Sequence, residues 1–426
     1  MRIAIFEDVG ADDLAPLTLT RPVFDLLCGT QSNLSRLHNV FSPAELGLVV
    51  RPNQAAVCRE RFVGTPINDF EWIRSAPIVL INGRWMPPAD FDATLIQAPC
   101  VGTVGGGVAF AAVPPAQMDD FTATTLDDIV EEWRHTLPTI EVGGRVIRRP
   151  WDLVDANAQQ IETDLSRWSR DGFQSLSSSV SLLGKPERLW VSTDASIEPH
   201  VVADTRNGPV VIDAGAVISA FTRLEGPCYI GRRSQVFGAK IRAGTSIGPN
   251  CRVGGEVEAS IMHGHSNKYH EGFLGHSYVG EWVNIGAGAQ TSDLRHDYGE
   301  VLVTIDGLRV PTGSSKIGSF IGDHAKIGLG CLLNSGTMLG AFAGVLPAGK
   351  LLPKNVPSFS AVLHGEVAIH DDPEMLFATA EEVMRRRGVV LSDALLSLYR
   401  SVFDKTAFQR QQAIRQADAR RLRRSA

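Results

Sequence analysis

Four histidines lie close together in the second half of the sequence, shortly before the string VNIGAG at residues 283–288. They are His263, His265, His270 and His276. A histidine titrates near neutral pH, so it can take the proton that an amine loses as it attacks a thioester. An asparagine or a backbone N–H beside it can stabilise the oxyanion that forms. The cluster could therefore supply a general base for acyl transfer. Exposed histidines without a function remain an alternative, as does a zinc site, which irregular spacing and the lack of paired acids disfavour.

A period of six residues predicts the structure that carries these histidines. An aliphatic residue occupies every sixth position from Ile321 to Leu351, and the same step runs through residues 212–236 before slipping by one residue at Ile241. Neither an α-helix nor an ordinary sheet has this period. Three such hexads form one triangular coil of a parallel β-helix, with aliphatic side chains in the core and small residues at the turns. We therefore predict a left-handed parallel β-helix over residues 190–360.

The period is interrupted between residues 289 and 316, where charged and turn-forming residues predict a long loop leaving one coil. A long loop in a regular repeat usually carries function, although a tolerated surface insertion is the alternative.

The composition limits the classes of protein that the chain can belong to. Its 426 residues allow two or three domains, and 44% hydrophobic with 21% charged residues predict a soluble globular protein. The net charge of −6 gives no basis for binding nucleic acid. No apolar run reaches the ~18 residues of a membrane span. The N-terminus lacks the basic stretch followed by an apolar stretch that is typical of a signal peptide. The six cysteines are scattered without a CxxC pair. We expect a cytoplasmic protein.

The N-terminal part has a different pattern. Residues 2–6, 46–50 and 77–82 have the composition of buried strands separated by helical or loop stretches, which predicts an α/β domain with a largely parallel sheet. We divide the chain into four parts: an α/β domain at 1–170, a linker at 171–189, the β-helix at 190–360 and a helical tail at 361–426. Within these parts, helices are predicted over 119–136, 151–167 and 373–399, and the last residues form a basic helix.

Phosphate binding in the N-terminal part would depend on arginine, because residues 1–184 contain no lysine. Arg21 lies in the string LTLTRP, where Thr18 and Thr20 add hydroxyl groups, and a guanidinium binds phosphate bidentately. The run GTVGGGV at residues 102–108 lacks the Lys-Ser/Thr of a phosphate loop and is predicted to be a hairpin turn.

Residues 270–288, HEGFLGHSYVGEWVNIGAG, resemble the acetyltransferase half of a family of bifunctional enzymes. These join an N-acetylglucosamine-1-phosphate uridylyltransferase to a glucosamine-1-phosphate N-acetyltransferase and make UDP-N-acetylglucosamine. When the two sequences are aligned on VNIGAG, the resemblance implies that His270 is the catalytic base and that Ala287 contacts CoA. The first asparagine of the family pattern falls on Asn284.

Several positions depart from that pattern or leave it open. The family's tyrosine falls on Phe273 and its lysine on Glu258, although Lys268 is close by. The asparagine of the following loop falls on Asp293, and Arg295 in the same loop is a candidate phosphate or CoA contact.

A second alignment is possible on the string His276-Ser277-Tyr278. It makes His276 the base and Tyr278 a substrate contact. The two candidate bases, His270 and His276, are six residues apart, so we expect both beside one cleft.

The N-terminal part resembles the divergent bacterial sugar nucleotidyltransferases that are fused to hexapeptide domains. The resemblance rests on EDVGADDLAPLTLTRPVFDLLCG (7–29), INGRWMP (82–88) and RPWDLVDAN (149–157). It implies a Rossmann-like nucleotidyltransferase fold. Arg21, Arg84 and Arg149 could neutralise phosphate charge, and Asp8, Asp12, Asp13 or Asp152 could hold Mg²⁺. The usual Gly-rich loop with its Pro-Lys is absent, and Arg84 replaces the usual magnesium-binding aspartate.

These patterns together imply an enzyme of sugar-nucleotide biosynthesis. The N-terminal domain would transfer a nucleotidyl group from a nucleoside triphosphate to a sugar 1-phosphate. The β-helix would transfer an acyl group from acetyl-CoA to an amino sugar, in a homotrimer with CoA between neighbouring β-helices. Two alternatives stay open: acyl transfer alone with an N-terminal domain that only senses nucleotide, and a non-enzymatic trimeric scaffold.

Overall fold

The computed structural model describes residues 1–118, 121–122, 124–174, 180–305, 307–369 and 372–425. The chain forms two compact units. Unit 1 comprises Met1–Leu26, Gln31–Arg149 and Ser392–Leu398, and unit 2 comprises Leu27–Thr30, Pro150–Leu391 and Tyr399–Ala426. Within the described residues, no helix is long and apolar enough to cross a membrane.

Unit 1 is built on a mixed six-stranded sheet. Its strands lie in the order Glu45–Val49, Arg2–Phe6, Ile78–Asn82, Gly107–Val113, Cys100–Val104 and Thr139–Glu141. The first three are parallel, as the sequence predicted, and their side chains are buried because helices cover both faces of the sheet. A short antiparallel pair joins Trp85–Met86 to Arg145–Val146. The helices are α1 (Asn33–Val40), α2 (Ala55–Arg61), α3 (Phe70–Arg74) and α4 (Leu126–Thr136).

The later part of the helix predicted over 119–136 is α4. Residues 119, 120 and 123 lie outside the described residues. The GTVGGGV run is the predicted hairpin turn. It joins Cys100–Val104 to the antiparallel strand Gly107–Val113, and Gly105 and Gly106 take the positive φ values of 52° and 81° that the turn requires.

Unit 2 contains helix α5 (Pro150–Leu165) and a parallel β-solenoid, which confirms the predicted β-helix. One long sheet runs through Phe173–Gln174, Leu189–Ser192, Val210–Ile212, Cys228–Ile230, Thr245–Ile247, Ile261–Gly264, Tyr278–Glu281, Ser319–Ile321, Thr337–Leu339 and Asn355–Val356. The other runs through Val180–Leu183, Val201–Asp204, Arg223–Glu225, Gln235–Ile241, Arg252–Glu258, Asn267–Lys268, Asn284–Ile285, Lys326–Ile327, Gly344–Val345, Ser360–Leu363 and Glu366–Ile369, with Ser196–Ile197, Val217–Ile218 and Phe273–Gly275 beside it.

Most aliphatic residues of the hexads point into one continuous core, but at the predicted last position Leu351 is exposed and Leu352 enters the core instead. Ile230 aligns with Ile247 on the next coil, and Ile321 aligns with Leu339, all without solvent exposure. The one-residue slip at Ile241 has a local cause. The strand Gln235–Ile241 has an irregular register between Phe237 and Lys240, where Gly238 takes a φ of 55°.

One corner of the solenoid is a ladder of residues with left-handed backbone, φ between 52° and 61°. They are Arg233, Asn250, His265, Trp282, His324, Phe342 and Phe359. The rings of His324, Phe342 and Phe359 stack with centroids 4.7 and 4.8 Å apart. Helices α6 (Glu374–Arg385) and α7 (Asp393–Lys405) follow the solenoid. Phe377 of α6 and Tyr399 of α7 pack edge-on against Phe342, so aromatic contacts hold these helices to the corner.

The interrupted stretch and the basic tail both have regular structure. Residues 289–316 include the antiparallel hairpin Leu302–Ile305 with Leu308–Pro311, while Gln290–Thr291 still pairs with Leu332–Leu333 of the solenoid. Val301 and Val303 are fully buried and lie beside Gly336, so the loop packs against the solenoid. The tail is helix α8 (Ala407–Ser425). The domain boundaries at 170, 189 and 360 remain predictions.

Candidate active site

An open groove of about 440 Å³ lies on one face of the solenoid, and three of the predicted site residues line it. They are His270, Asn284 and Ala287. The groove also includes Arg252 and Asn267. The predicted base, asparagine and CoA contact are therefore neighbours in space.

The string VNIGAG forms part of the groove because alternate residues point in opposite directions. Val283 and Ile285 enter the solenoid core, whereas Asn284 points outward and is exposed. A Cβ atom on Gly286 would lie 2.5 Å from the backbone nitrogen of Leu329, so only glycine permits the next coil to approach this closely. Gly288 then turns the chain with a φ of 69°.

The groove follows a column of polar residues that the strand register places on successive coils. Arg252 pairs with Asn267, Asn267 with Asn284, and Asn284 with Lys326. Neighbouring strands are ~4.8 Å apart, so the column extends over about 14 Å. Its members Arg252, Asn267 and Asn284 line the groove, whereas Lys326 is not among the lining residues. This arrangement suits an elongated ligand with anionic groups.

His270 lies at the edge of the groove, with an exposed side chain. Its ring packs edge-on against Tyr269, with ring centroids 4.9 Å apart. The predicted substrate contact Lys268 is only 2% exposed. Its Nζ donates to the carbonyl oxygens of Gly254 at 2.8 Å and His270 at 3.1 Å. Lys268 therefore positions the backbone of His270.

Two lysines of the solenoid have weakened basicity. Burial lowers the pKa of Lys268 to about 8, partly opposed by the charge of Glu271. Burial also lowers the pKa of Lys326 to about 8, and its Nζ donates to the carbonyl oxygen of Trp282 at 2.7 Å. Both lysines lose their charge more readily than an exposed lysine does.

A pair of arginines that was not predicted from the sequence lies at one end of the column. Arg387, beyond the end of α6, donates to the Asn267 side-chain oxygen at 2.8 Å and to the Asn250 carbonyl at 3.3 Å. Burial and the like charge of Arg252 lower the pKa of Arg387. Stepping one coil back from Asn284 in the repeat would have found Asn267, but no sequence pattern places the tail beside it.

His276, the second candidate base, does not line the groove. Its Nδ1 lies 2.7 Å from a carboxylate oxygen of Asp293, and both side chains are largely buried. Burial disfavours ionisation of Asp293, but its hydrogen bond to His276 and the nearby charges of His276 and Lys316 outweigh that effect and lower its pKa. This pair is a second histidine site.

The predicted substrate contacts Tyr278 and Arg295 bind other residues of the chain and do not line the groove. Tyr278 is fully buried, and its hydroxyl lies 3.0 Å from His263 Nδ1 and 3.2 Å from the Leu27 carbonyl. Arg295 binds Asp297 through two hydrogen bonds of 2.8 and 2.5 Å in the loop.

In unit 1, the LTLTRP segment is buried rather than open. Thr18, Thr20 and Arg21 are at most 6% exposed. The Thr18 hydroxyl donates to the Ala11 carbonyl at 2.8 Å, and Arg21 lies 3.5 Å from Asp25.

A third arginine, Arg51, holds this segment in place. Its Nη2 donates to the carbonyl oxygens of Thr18 at 2.7 Å and Arg21 at 3.2 Å, and it forms an ion pair with the buried Glu7 at 3.0 Å. Burial lowers the pKa of Arg51, but the charges of Glu7 and Asp12 outweigh this effect and raise it. These contacts of Arg51 were not predicted from the sequence.

The predicted phosphate contact Arg84 and the predicted metal ligand Asp8 bind each other. Arg84 donates to the two carboxylate oxygens of Asp8 at 2.7 and 2.5 Å and to the Ile147 carbonyl at 2.8 Å. Asn82 donates to Asp8 as well, at 2.8 Å. The Arg84 guanidinium also occupies the space beside Gly10, where a Cβ atom would lie 2.4 Å from its central carbon.

Two of the predicted metal ligands are Asp8 and Asp152. Asp8 belongs to unit 1 and Asp152, in the first turn of α5, belongs to unit 2. Throughout the described ranges, no three side chains of histidine, cysteine, aspartate or glutamate gather as a metal site requires. The Asp8 carboxylate is bound to Arg84 and Asn82, so Mg²⁺ could bind there only after Arg84 moves away.

Comparisons with known proteins agree with the two-part organisation. Residues 3–171 match the family model described as sugar nucleotidyl transferase. The chain is 31% identical over 226 residues to a bifunctional sugar-1-phosphate nucleotidylyltransferase/acetyltransferase of Sulfurisphaera tokodaii, an alignment that covers 50% of this chain and 48% of that protein. It is 29% identical over 222 residues to the bifunctional protein GlmU of Bartonella quintana, covering 50% and 45%. The chain thus spans about half the length of the curated relatives it matches.

The solved structures add less. A GDP-perosamine N-acetyl transferase of Caulobacter crescentus, in complex with CoA and GDP-perosamine, is 14% identical to this chain and the alignment covers 76% of this chain and 97% of that one. The TM-score of 0.14 is too low for an argument from that superposition. The resemblance to nucleotidyltransferase/acetyltransferase proteins that the sequence implied is confirmed by the family model and the curated relatives.

Proposed function

We propose that the protein is an enzyme of sugar-nucleotide biosynthesis whose solenoid groove transfers an acyl group from acetyl-CoA to the amino group of a sugar phosphate. The observation that carries this proposal is the convergence of His270, Asn284 and Ala287 on one groove. The bifunctional relatives, one of which is a sugar-1-phosphate nucleotidylyltransferase/acetyltransferase, support the same reaction class.

The groove residues divide the chemistry of acyl transfer between them. The amine nitrogen attacks the thioester carbonyl carbon while His270 removes one of its protons. The Asn284 side chain, as a hydrogen-bond donor, stabilises the oxyanion. The carbon–sulfur bond then breaks, the thiolate takes the proton from His270, and the amide and free CoA leave. The exposed positions of His270 and Asn284 allow both substrates to reach them.

The cations of the polar column fit substrates that carry phosphate. Arg252 and Arg387 stand close together, and no carboxylate partner is recorded for either among the residues that the structure describes. An anionic group bound there would relieve their mutual repulsion. CoA and a sugar phosphate both supply such a group.

For unit 1 we propose nucleotidyl transfer from a nucleoside triphosphate to a sugar 1-phosphate, which the match of residues 3–171 supports. Arg84 would contact the phosphates and Asp8 would hold Mg²⁺ once a triphosphate separated them. Mg²⁺ would neutralise phosphate charge. Arg21, Thr18 and Thr20 would shape the segment beneath the ligand.

A second candidate function is favoured by the pairing of Arg84 with Asp8, which leaves both groups engaged with each other. In this alternative, unit 1 binds nucleotide without transferring it, and acyl transfer is the only activity. The two candidates differ in one measurable product, pyrophosphate.

The test uses the full-length protein in two parallel assays. One measures thiol release from acetyl-CoA with glucosamine 1-phosphate, and the other measures pyrophosphate release from each nucleoside triphosphate with sugar 1-phosphates. Thiol release with pyrophosphate release supports both activities. Thiol release alone supports the second candidate. Absence of both signals would contradict the enzyme proposal and favour a scaffold.

We also propose a cytoplasmic homotrimer in which CoA lies between neighbouring solenoids. Exposed apolar side chains on the solenoid, including Leu329 and Leu346, support association of copies. Light scattering should give a mass three times that of the chain, and a monomer at micromolar concentration would contradict this proposal.

A further inference from the structure

A second cavity, distinct from the groove at His270, lies beside the last coil of the solenoid. Its volume is about 200 Å³, and it shares no lining residue with the groove. Three segments surround it: helix α8, the hairpin within residues 302–311, and the chain on either side of the last solenoid strands, at Pro353–Asn355 and Gly365–Val367.

The face of α8 that lines this cavity has an unusual composition. It consists of Gln409, Gln412, Ala413, Gln416 and Ala417, spaced at three, four, seven and eight residues from the first. A helix that only packs against a solenoid presents large apolar side chains on such a face. Here alanines keep the space open and amides line it, so the helix presents a polar surface to an enclosed volume.

One of the amides has a buried oxygen without a hydrogen-bond partner among the described residues. The side-chain oxygen of Gln409 is buried and forms no hydrogen bond with any residue that the structure describes. A buried polar atom nearly always has a partner, from the protein, from water or from a ligand. The orphaned oxygen and the open volume beside it therefore point to a polar occupant that donates a hydrogen bond.

The opposite wall provides charge. Lys354 lines the cavity, and no ion-pair partner for it is recorded among the described residues. Burial lowers its pKa, and the charges of Arg295 and Arg309 lower it further. Three cations thus act on the same region, although Arg295 is also bound to Asp297. An anionic group beside Lys354 would be stabilised by all three charges.

We propose that this cavity is a second binding site, for a phosphorylated monosaccharide. The phosphate would lie against Lys354, and the sugar hydroxyls would bind the amides of Gln409, Gln412 and Gln416 and the carboxylate of Glu366. The cavity is smaller than the roughly 300–1,000 Å³ of sites for drug-sized ligands, so a nucleotide or CoA is too large for it. The bound sugar phosphate would join α8 to the hairpin and to the last coil.

The experiment is a calorimetric titration of the full-length protein with glucose 1-phosphate. Ala413→Leu fills the cavity with a larger side chain, and the matched control Ala419→Leu makes the same change at an exposed position of α8 outside it. Because the groove and unit 1 are themselves proposed to bind sugar phosphates, we expect Ala413→Leu to remove one binding event from the titration and Ala419→Leu to leave every event unchanged. Lys354→Gln should weaken binding by about 10–100-fold, because a hydrogen bond to a charged group is lost.

Two further arms keep the test decisive. Gln416→Glu changes an exposed residue at the rim, so it should fold, and its carboxylate should weaken binding of the phosphate at least tenfold if Ala413→Leu does not fold. Inorganic phosphate should bind more weakly than glucose 1-phosphate, since it cannot reach the amides. The proposal is overturned if no binding is detected at millimolar ligand, if inorganic phosphate binds as tightly as the sugar phosphate, or if Ala413→Leu and Lys354→Gln bind glucose 1-phosphate like wild type.

Discussion

Two short strings, VNIGAG in the solenoid and LTLTRP in unit 1, differ in what the fold does with their polar side chains. In VNIGAG, Asn284 is exposed beside a groove that also contains His270. In LTLTRP, Thr18 and Arg21 are buried, and the backbone is held by Arg51. In VNIGAG, alternate residues point outward from the solenoid, so Asn284 stays available to a ligand. LTLTRP lies outside the regular strands, so its backbone needs other partners, such as Arg51, and the Thr18 hydroxyl bonds to Ala11.

The largest expected effect is on catalysis in the groove. His270→Ala should reduce thioester turnover by about 10²–10⁴-fold, because a positioned general base is lost, while the affinity for CoA is retained. The matched control is His364→Ala, which removes an exposed histidine near the end of the solenoid and outside the groove. Full activity of His270→Ala in the thiol-release assay would remove the groove from the mechanism.

The next largest effect is expected on stability, at the ion pair between Arg51 and Glu7 that holds the LTLTRP segment in place. Arg51→Leu leaves the carboxylate of Glu7, whose side chain has no solvent exposure, without its cation. Breaking such a buried pair should lower the free energy of unfolding of unit 1 by about 3–5 kcal/mol. Arg134→Leu breaks the more exposed pair with Glu131 in the same unit and should change it by less than about 1 kcal/mol. Urea denaturation that finds equal effects would refute the distinction.

A smaller effect is expected at the cationic end of the groove. Arg387→Ala should raise KM for the substrate that carries the bound phosphate by about 10–100-fold with little change in kcat, and Arg387→Lys should recover part of the loss. Measuring KM separately for acetyl-CoA and for the sugar phosphate identifies which substrate is bound. If neither KM changes, the arginine pair is not a phosphate contact.

The buried Lys268 predicts a dependence of stability on pH. Its pKa is lowered from 10.5 to about 8 in the folded protein, so between these values the unfolded chain binds more protons. The free energy of unfolding of wild type, relative to Lys268→Met, should therefore rise as the pH increases from 8 to 10.5, by roughly 1–3 kcal/mol. A difference that is flat or falls over this range would show that the lysine is not desolvated.

The smallest effect is expected at the second histidine. His276→Ala removes the partner of Asp293 outside the groove and should reduce thioester turnover only about tenfold, through positioning. Loss of all turnover in His276→Ala, with an active His270→Ala, would mean that the two histidines exchange roles.

The sequence predicted regular parts of the molecule better than irregular ones. The six-residue period predicted the solenoid, because each aliphatic residue contributes to a core that repeats along the chain. The VNIGAG string placed His270, Asn284 and Ala287 together, since consecutive coils have a fixed register. Arg387 could not be predicted in the same way, because aromatic packing on the solenoid corner determines where the tail helices lie, and no short sequence pattern encodes that contact.

The same limit applied in unit 1. The string LTLTRP was recognisable, and Arg21 was a reasonable phosphate contact by residue type. Whether an arginine faces a ligand or an internal carboxylate depends on partners far away in sequence. Arg51 and Glu7 illustrate this, because their ion pair joins the end of the first strand to a segment that follows another strand.

A crystal structure of the full-length protein with bound CoA would test the central claim most directly. We expect the CoA sulfur to lie in the solenoid groove beside His270 and Asn284, with the pantetheine chain passing Ala287. Electron density for CoA at a different site, with the groove at His270 empty, would contradict it.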